Sequence, residues 1–188
     1  MSVTGTRLLV LGFVRLRGPV HGYHVRQELL VQWGAGRWYN LLPGSVYNQL
    51  RTLSKAGFIE LDSVEQDPSR PERSLYRLTQ SGEREFHHLI SEILFDPNPQ
   101  PLDLWPVLCF LPAVKESDLR RALAERIERI TAWLSVYDAH VANSLEASPA
   151  PHIVEAFEFT NAALSSEVAW ATRLLTRMDE GRYTFAPE

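Results

Sequence analysis

In much of the first 95 residues, apolar side chains recur every three or four positions, which is the spacing of helices. Residues 7–16 are almost wholly apolar and predict a buried helix, which Gly18-Pro19 ends. Residues 22–33 repeat large apolar side chains every four positions and predict a second helix. Gly34-Ala35-Gly36 then interrupts the chain, because consecutive small residues favour a break.

Residues 43–56 predict a third helix with two chemically different faces. Pro43 suits the first turn of a helix, and Gly57 suits the left-handed residue that follows one. At helical periodicity the aliphatic side chains share one narrow stripe, which consists of Val46, Leu50 and Leu53. The opposite side carries Asn48, Arg51, Thr52 and Lys55. We therefore expect this helix to pack on the protein with one face and to meet a polar partner with the other.

Two strands and a fourth helix complete this half of the chain. Residues 58–66 and 74–79 mix apolar and polar side chains and predict strands, joined by the proline-rich loop 67–73. Thr79 is placed to cap a helix over residues 81–95. Three helices followed by a hairpin are typical of the winged helix-turn-helix fold, in which the hairpin is the wing. The predicted fold is mainly α with a small two-stranded β wing.

The outward face of the third helix has the chemistry of a DNA-reading surface. An asparagine there can bond bidentately to adenine in the major groove, and arginines in the wing can reach phosphates. Tyr47 is left open between a phosphate contact and partial burial, and an ordinary solvated surface is the alternative for the whole face. The candidate DNA-binding residues are Ser45, Tyr47, Asn48, Arg51, Thr52, Lys55, Arg70 and Arg73.

The second half of the chain predicts long amphipathic helices. Prolines concentrate in residues 96–104, so we divide the chain into a winged-helix domain (1–95), a linker (96–104) and a helical domain (105–188). Apolar residues recur every three or four positions from Leu119 to Val141, and again after Pro151. One hairpin does not bury both stripes comfortably, which predicts a homodimer. A two-fold protein is expected to read an inverted repeat, with its reading helices about 34–36 Å apart.

Charge is distributed unevenly along the chain. The net charge is −4, yet residues 1–90 contain 11 Lys and Arg against 8 Asp and Glu. Phosphate attraction is local, so a mildly acidic protein can bind DNA through a face where its cations converge. The apolar segments are too short to span a membrane and the N-terminus lacks signal-peptide character, so a cytoplasmic location is expected.

Three groups of residues resemble a known family. They are His21-Gly22-Tyr23, then Gly44-Ser45-Val46-Tyr47 with Leu50, Leu53 and Gly57-Phe58-Ile59, then Arg73-x-x-Tyr76-x-Leu78-Thr79-x-x-Gly82. In order and spacing they are similar to the PadR family of bacterial transcriptional regulators, over residues 7 to about 95. The resemblance implies a winged-helix domain, a helical dimerisation domain and a repressor released by a small ligand. Members often have proline or arginine where this chain has Asn48, so the recognised base sequence stays open.

The resemblance also implies an aromatic effector site near a dimer interface. Our candidates for it are Trp105, Phe110, Trp133 and Tyr137. The alternative is that these rings are core or interface residues, because each aromatic side chain buries about 150–250 Å².

Other kinds of site have weaker support. His21 and His24 lie three residues apart but have no evident third ligand, so neither a metal nor another cofactor is expected. The sequence has no zinc-protease, nucleophile-elbow or phosphate-loop motif, so we expect no enzyme. Cys109 is expected to be a buried thiol, with a redox sensor as the alternative. The alternative to a DNA-binding regulator is a winged-helix module that binds another protein.

Overall fold

The computed structural model describes residues 3–65, 73–97, 102–146 and 150–188. Within these ranges the side chains of Trp38, Val64, Glu65, Arg73 and residues 137–146 are not described. The chain forms two compact units, Met1–Ala113 and Val114–Glu188. No helix in the described ranges is both long and apolar enough to cross a membrane.

The first unit contains six α-helices and three strands within its described residues. The helices are α1 Val3–Arg17, α2 Gly22–Gln27, α3 Ala35–Trp38, α4 Pro43–Lys55, α5 Gln80–Leu94 and α6 Trp105–Leu108. The strands are β1 Val20–His21, β2 Ile59–Glu65 and β3 Arg73–Leu78. A π-helical segment, Glu28–Gln32, continues α2, and a short 3-10 turn, Leu111–Ala113, ends the unit. The mainly helical fold with a small β wing is confirmed.

The sheet has one strand more than the sequence predicted. Its order is β1-β3-β2, and both pairings are antiparallel. In β1, Val20 lies opposite Tyr76 and His21 lies opposite Leu75. Because α2 begins at Gly22, this short strand fixes the start of α2 beside β3.

The core of the first unit is built around α1. The middle of α1 is buried without interruption from Leu8 to Val14, and the helix packs against α4 and α5. The ring of Phe110 lies edge-on to Phe86, with 5.4 Å between the ring centroids. A side chain at Gly12 would come within 2.3 Å of the Phe110 ring, so glycine lets that ring lie flat on α1.

The boundary between the units differs from the expected one. We placed the second domain from residue 105 onward, but the compact second unit begins at Val114. The reason is packing: Trp105 stacks on Tyr39 at 5.3 Å, and Phe110 is buried against α1 and α5. Residues just after the proline-rich segment therefore complete the first core.

The second unit is a hairpin of two long helices, α7 Glu116–Glu146 and α8 Pro151–Asp179. Its apolar core lies between the first half of α7 and the last part of α8. The core residues are Leu119, Leu123, Ile130, Ala171, Leu174 and Met178. A buried ion pair, Arg126 with Glu167, lies within this core. The C-terminal segment returns to the start of the unit, where Ala186 N donates a hydrogen bond to Val114 O at 2.8 Å.

The remainder of the hairpin leaves large apolar side chains in solvent. Val136 on α7 is 70% exposed, and Phe159 on α8 is 78% exposed. Trp133 and Ile153 are also exposed. Among the described side chains, the apolar stripes are thus covered where α7 begins and α8 ends, and some large apolar residues are exposed on the rest of the hairpin.

Candidate nucleic-acid interface

Helix α4 has the orientation that the sequence predicted. Val46, Leu50 and Leu53 are buried, with Leu50 only 2% exposed. Pro43 occupies the first turn, and Gly57 has φ +72 immediately beyond the helix. The inward stripe therefore anchors α4 to the core and fixes which side chains face outward.

The outward face of α4 is polar and free of acidic groups. Asn48, Arg51, Thr52 and Lys55 are all exposed, and the helix contains neither aspartate nor glutamate. Two cations on one acid-free helix produce a locally positive surface on a chain whose net charge is negative. A polyanion that approaches α4 would therefore be attracted to this positive surface.

Hydrogen bonds refine the chemistry of this face. Thr52 Oγ1 donates to Asn48 O at 2.9 Å, so its hydroxyl proton is engaged while its lone pairs and methyl remain outward. Ser45 is half-buried and lies with Asn48 beside a small cavity against α1. Tyr47 is 42% exposed. One edge of its ring lies 3.5 Å from the position a Gly22 Cβ would take, and both of its interpretations stay open.

The described part of the wing carries compensated charge. Arg77 on β3 lies 2.9 Å from Glu60 and 3.4 Å from Asp62, both on β2. The base of the wing is therefore not cationic. Arg70 lies outside the described residues, and Arg73 begins β3 opposite Glu65 but its side chain is not described.

An open cavity of about 430 Å³ lies next to the outward face of α4. It is bordered by α2, α4 and strands β1 and β3. Its lining residues are His21, Gly22, Tyr23, His24, Tyr47, Leu50, Arg51, Ser54, Lys55, Ser74 and Tyr76. The two cations of α4 thus border both the outward face and this cavity.

Sequence reasoning did not assign a binding role to the residues that α2 and β3 contribute to this cavity. The available signal was the His21-Gly22-Tyr23 group, which entered the sequence analysis only as part of the family resemblance. The two imidazoles, His21 and His24, do lie together, with ring centroids 5.6 Å apart. Among the described residues no group of three His, Cys, Asp or Glu could hold a metal ion.

The four aromatic candidates for an effector site do not fall in one unit. Trp105 and Phe110 belong to the first unit, where Phe110 is a core residue. Trp133 lies on α7 in the second unit and is 40% exposed. Tyr137 lies on the same helix, but its side chain is outside the described set.

Cys109 has the character of an inert thiol. It follows α6 and is half-buried, and desolvation raises the pKa of the thiol to about 12. Because the thiolate is the reactive form, a thiol held in its protonated state is a poor nucleophile.

Residues 10–88 match the model of a family described as "Transcriptional regulator PadR-like family". The chain carries a PadR-like domain. The resemblance found in the sequence is therefore confirmed, and the family is one of transcriptional regulators and not of enzymes. The search of curated proteins found no significant match.

Several solved structures are similar to the chain that carries this PadR-like domain. The protein smu.1604c from Streptococcus mutans UA159 is 22% identical, with 90% of this chain and 98% of that one covered and a TM-score of 0.41. Bacillus subtilis PadR in complex with operator DNA is 19% identical, with coverages of 91% and 97% and a TM-score of 0.41. Bacillus subtilis PadR in complex with p-coumaric acid is 20% identical, with coverages of 93% and 99% and a TM-score of 0.38.

Glycines of the PadR-like domain lie where helices approach other elements closely. At Gly22 a Cβ would lie 3.0 Å from Leu50 Cδ1, which brings the start of α2 onto α4. At Gly82 a Cβ would lie 2.0 Å from the Phe58 carbonyl oxygen, so α5 begins directly against the residue before β2. The first contact holds α4 against α2, and the second holds α5 against the start of the wing.

Proposed function

We propose that the protein is a sequence-specific DNA-binding regulator, a cytoplasmic dimeric repressor that binds an inverted-repeat operator and responds to a small ligand. The observation that carries the proposal is the outward face of α4, which is exposed, acid-free and anchored by a buried stripe inside a PadR-like domain. A helix of this kind suits the major groove, where side chains read base edges and phosphates hold the register. The wing arginines, Arg70 and Arg73, are proposed to contact the flanking backbone.

The homodimer is supported by the second unit. Its hairpin exposes four large apolar side chains, Trp133, Val136, Ile153 and Phe159, and apolar side chains that join into one exposed surface mark interaction sites. A second copy of the same hairpin is the proposed partner, since a two-fold arrangement places identical apolar patches against each other. Two subunits would then present two copies of α4 to the halves of an inverted repeat.

Selection of bound fragments from randomised duplex DNA tests the main proposal. We expect an enriched inverted repeat, with binding that weakens steeply as salt rises because phosphate neutralisation releases counterions. The competing function, a module that binds another protein, predicts no enriched sequence. Absence of enrichment at low salt would contradict DNA recognition.

Asn48→Ala is expected to relax base discrimination without affecting the fold. A bidentate side chain contributes about 1–3 kcal/mol of discrimination at the base it reads. Asn48 is exposed, so its loss leaves the buried stripe intact. Binding to the selected site and to its single-base variants measures the effect.

A matched control for this experiment is Ser91→Ala, which removes an exposed polar side chain from α5. It should preserve the preference for every base of the site. If Asn48→Ala retains the same preferences as the unchanged protein, Asn48 does not read a base.

Phe159→Glu is expected to shift the protein from dimer to monomer. The side chain is 78% exposed within one chain, so the substitution should not unfold the hairpin, while a charge buried in an apolar interface is costly. Sedimentation velocity of the full chain measures the change. Thr172→Glu, an exposed change on the same helix beside the covered core, serves as the control.

The aromatic effector remains part of the proposal for the second unit. Trp133 presents an exposed ring on the uncovered portion of the hairpin, and Tyr137 is four residues further along α7. Phe110 is buried in the core of the first unit and is not available to a ligand unless that core opens. Titration with a panel of phenolic acids, comparing the unchanged protein with Trp133→Phe by calorimetry, tests this site.

A further inference from the structure

A buried ion pair interrupts the apolar core between α7 and α8. Arg126 on α7 is 4% exposed, Glu167 on α8 is 8% exposed, and Arg126 Nε donates a hydrogen bond to Glu167 Oε1. Leu123 on α7 and Ala171 on α8, each about one turn from the pair along its own helix, are also buried. Both charges are therefore removed from water together.

Stability alone does not explain why two ions occupy this core. Taking a pair of charges out of water costs free energy that their attraction returns only in part, and apolar replacements of buried ion pairs are often as stable or more so. Another ion pair, Arg120 with Asp179 at 2.7 Å, joins the same two helices at the surface, where no such cost arises. The buried position of the first pair therefore has another explanation.

The apolar positions around the pair do not determine which helices associate. Along α7, and again along α8, a buried stripe advances by 4, 3 and 4 residues. Aliphatic side chains at this spacing pack against any similar stripe, so α7 against α7 or α8 against α8 of a second chain would bury the same kind of surface. The two stripes are Leu119, Leu123, Arg126 and Ile130 on α7, and Glu167, Ala171, Leu174 and Met178 on α8.

The two charges distinguish these pairings. Where α7 meets α8, each ion lies beside its opposite. If like helices met through the same stripes, Arg126 would lie beside another arginine or an aliphatic side chain, and Glu167 would lack a cation in the same way. An ion buried without its counter-charge is strongly unfavourable. Pairing of like helices is therefore penalised, although its apolar contacts are acceptable.

We propose that Arg126 and Glu167 direct α7 to pair with α8 and exclude the pairing of like helices when two chains associate. The inference rests on the proposed homodimer. A two-fold dimer brings two copies of each helix together, so the wrong partners are always close. With the buried stripes held α7 to α8, exposed side chains further along the hairpin, such as Phe159, are left for the contact between chains.

The first measurement is the stability of the full chain in urea, followed by circular dichroism at one protein concentration. Arg126→Met and Glu167→Met, made singly, should each lower the folding equilibrium constant by about 100-fold or more, because one charge stays buried alone. The double variant should be at least as stable as the unchanged protein. A double variant as unstable as the single ones would show that the pair serves stability, and it would overturn the inference.

The second measurement detects the pairing of like helices. Cys109 is the only cysteine in the sequence, so Cys109→Ala with Ala171→Cys places a single reporter thiol in the buried stripe of α8. While α7 covers that stripe, two chains cannot join through the reporter. Adding Arg126→Met and Glu167→Met should let α8 meet α8, which gives a disulfide-linked dimer on non-reducing electrophoresis after mild oxidation.

Three controls separate a change of partner from general loosening of the hairpin. Arg126→Glu with Glu167→Arg keeps opposite charges together, so the reporter should stay unlinked. Arg120→Gln with Asp179→Asn removes the surface ion pair between the same helices and should also leave it unlinked. A reporter at the exposed position Thr172 of α8 should form the same amount of linked dimer with and without the apolar replacements.

The homodimer and the pairing role of the ion pair fail in different ways. If the buried reporter stays unlinked when both charges are replaced by methionine, the ion pair does not select the partner helix, and the homodimer is unaffected. If sedimentation shows the unchanged protein to be a monomer at every concentration, the proposed homodimer fails. The reporter at high protein concentration then still decides whether the ion pair excludes like helices.

Discussion

Replacing Arg51 and Lys55 together by glutamate is expected to lower the affinity for duplex DNA by about 100-fold or more. Both side chains are exposed on the acid-free face of α4, so the change reverses the local field without disturbing the buried stripe. Each lost phosphate contact should also reduce the salt slope by about 0.9, which gives a total near two. Titration of a labelled duplex across a salt series measures both quantities.

The matched control is Arg84→Glu with Arg173→Glu. It changes the net charge by the same amount, but its exposed positions lie on α5 and α8. We expect only a small loss of affinity from this pair, because general repulsion is screened beyond about 8–10 Å at physiological salt. Equal losses from the two double variants would show that the cations of α4 make no direct contact with DNA.

The orientation of α4 was predictable from the sequence because the rules that determine it are local. Helical periodicity assigned Val46, Leu50 and Leu53 to the core, and all three are buried. The predicted cap of α5 is also observed, because Thr79 Oγ1 accepts a hydrogen bond from Gly82 N at 3.0 Å. A pattern within a dozen residues contains the information that these features need.

Features that depend on distant partners were not predictable in the same way. Strand β1 has only two residues and exists through its pairing with β3, more than fifty residues later in the chain. Phe110 lies after the proline-rich segment, and only the space above Gly12 explains why its ring joins the first core. The buried ion pair between Arg126 and Glu167 likewise joins two helices across 41 residues of sequence.

One part of the candidate site was predictable from the sequence and another part was not. The outward residues of α4 follow from its periodicity, whereas the cavity is assembled from α2, α4 and β3 and has no signature in any one segment. His24 illustrates the difference. The sequence offered it only as a metal ligand without a third partner, whereas the packing of α2 beside α4 places it in the lining of the same cavity as Lys55.

Gly82→Ala is expected to destabilise the first unit by roughly 4 kcal/mol, near the upper limit for single substitutions. An alanine Cβ would lie 2.0 Å from the Phe58 carbonyl oxygen and 2.7 Å from Leu78 Cδ1. Movement of α5 away from this carbonyl is resisted, because Thr79 N donates to it at 3.1 Å and Thr79 Oγ1 donates to the neighbouring Gly57 O at 2.7 Å. Urea unfolding of the full chain, followed by circular dichroism at a fixed protein concentration, measures the loss.

Gly44→Ala isolates this steric effect from the general preference of helices for alanine. Gly44 also lies in the first turn of a helix, but a Cβ there meets nothing within 4 Å. Its replacement should leave stability unchanged or raise it by up to about 1 kcal/mol. Opposite signs for the two substitutions are expected only if α5 is held against the Phe58 carbonyl, and that contact ties the wing to the helix that supports it. A small, equal gain from both would mean that α5 can shift away from the wing without loss.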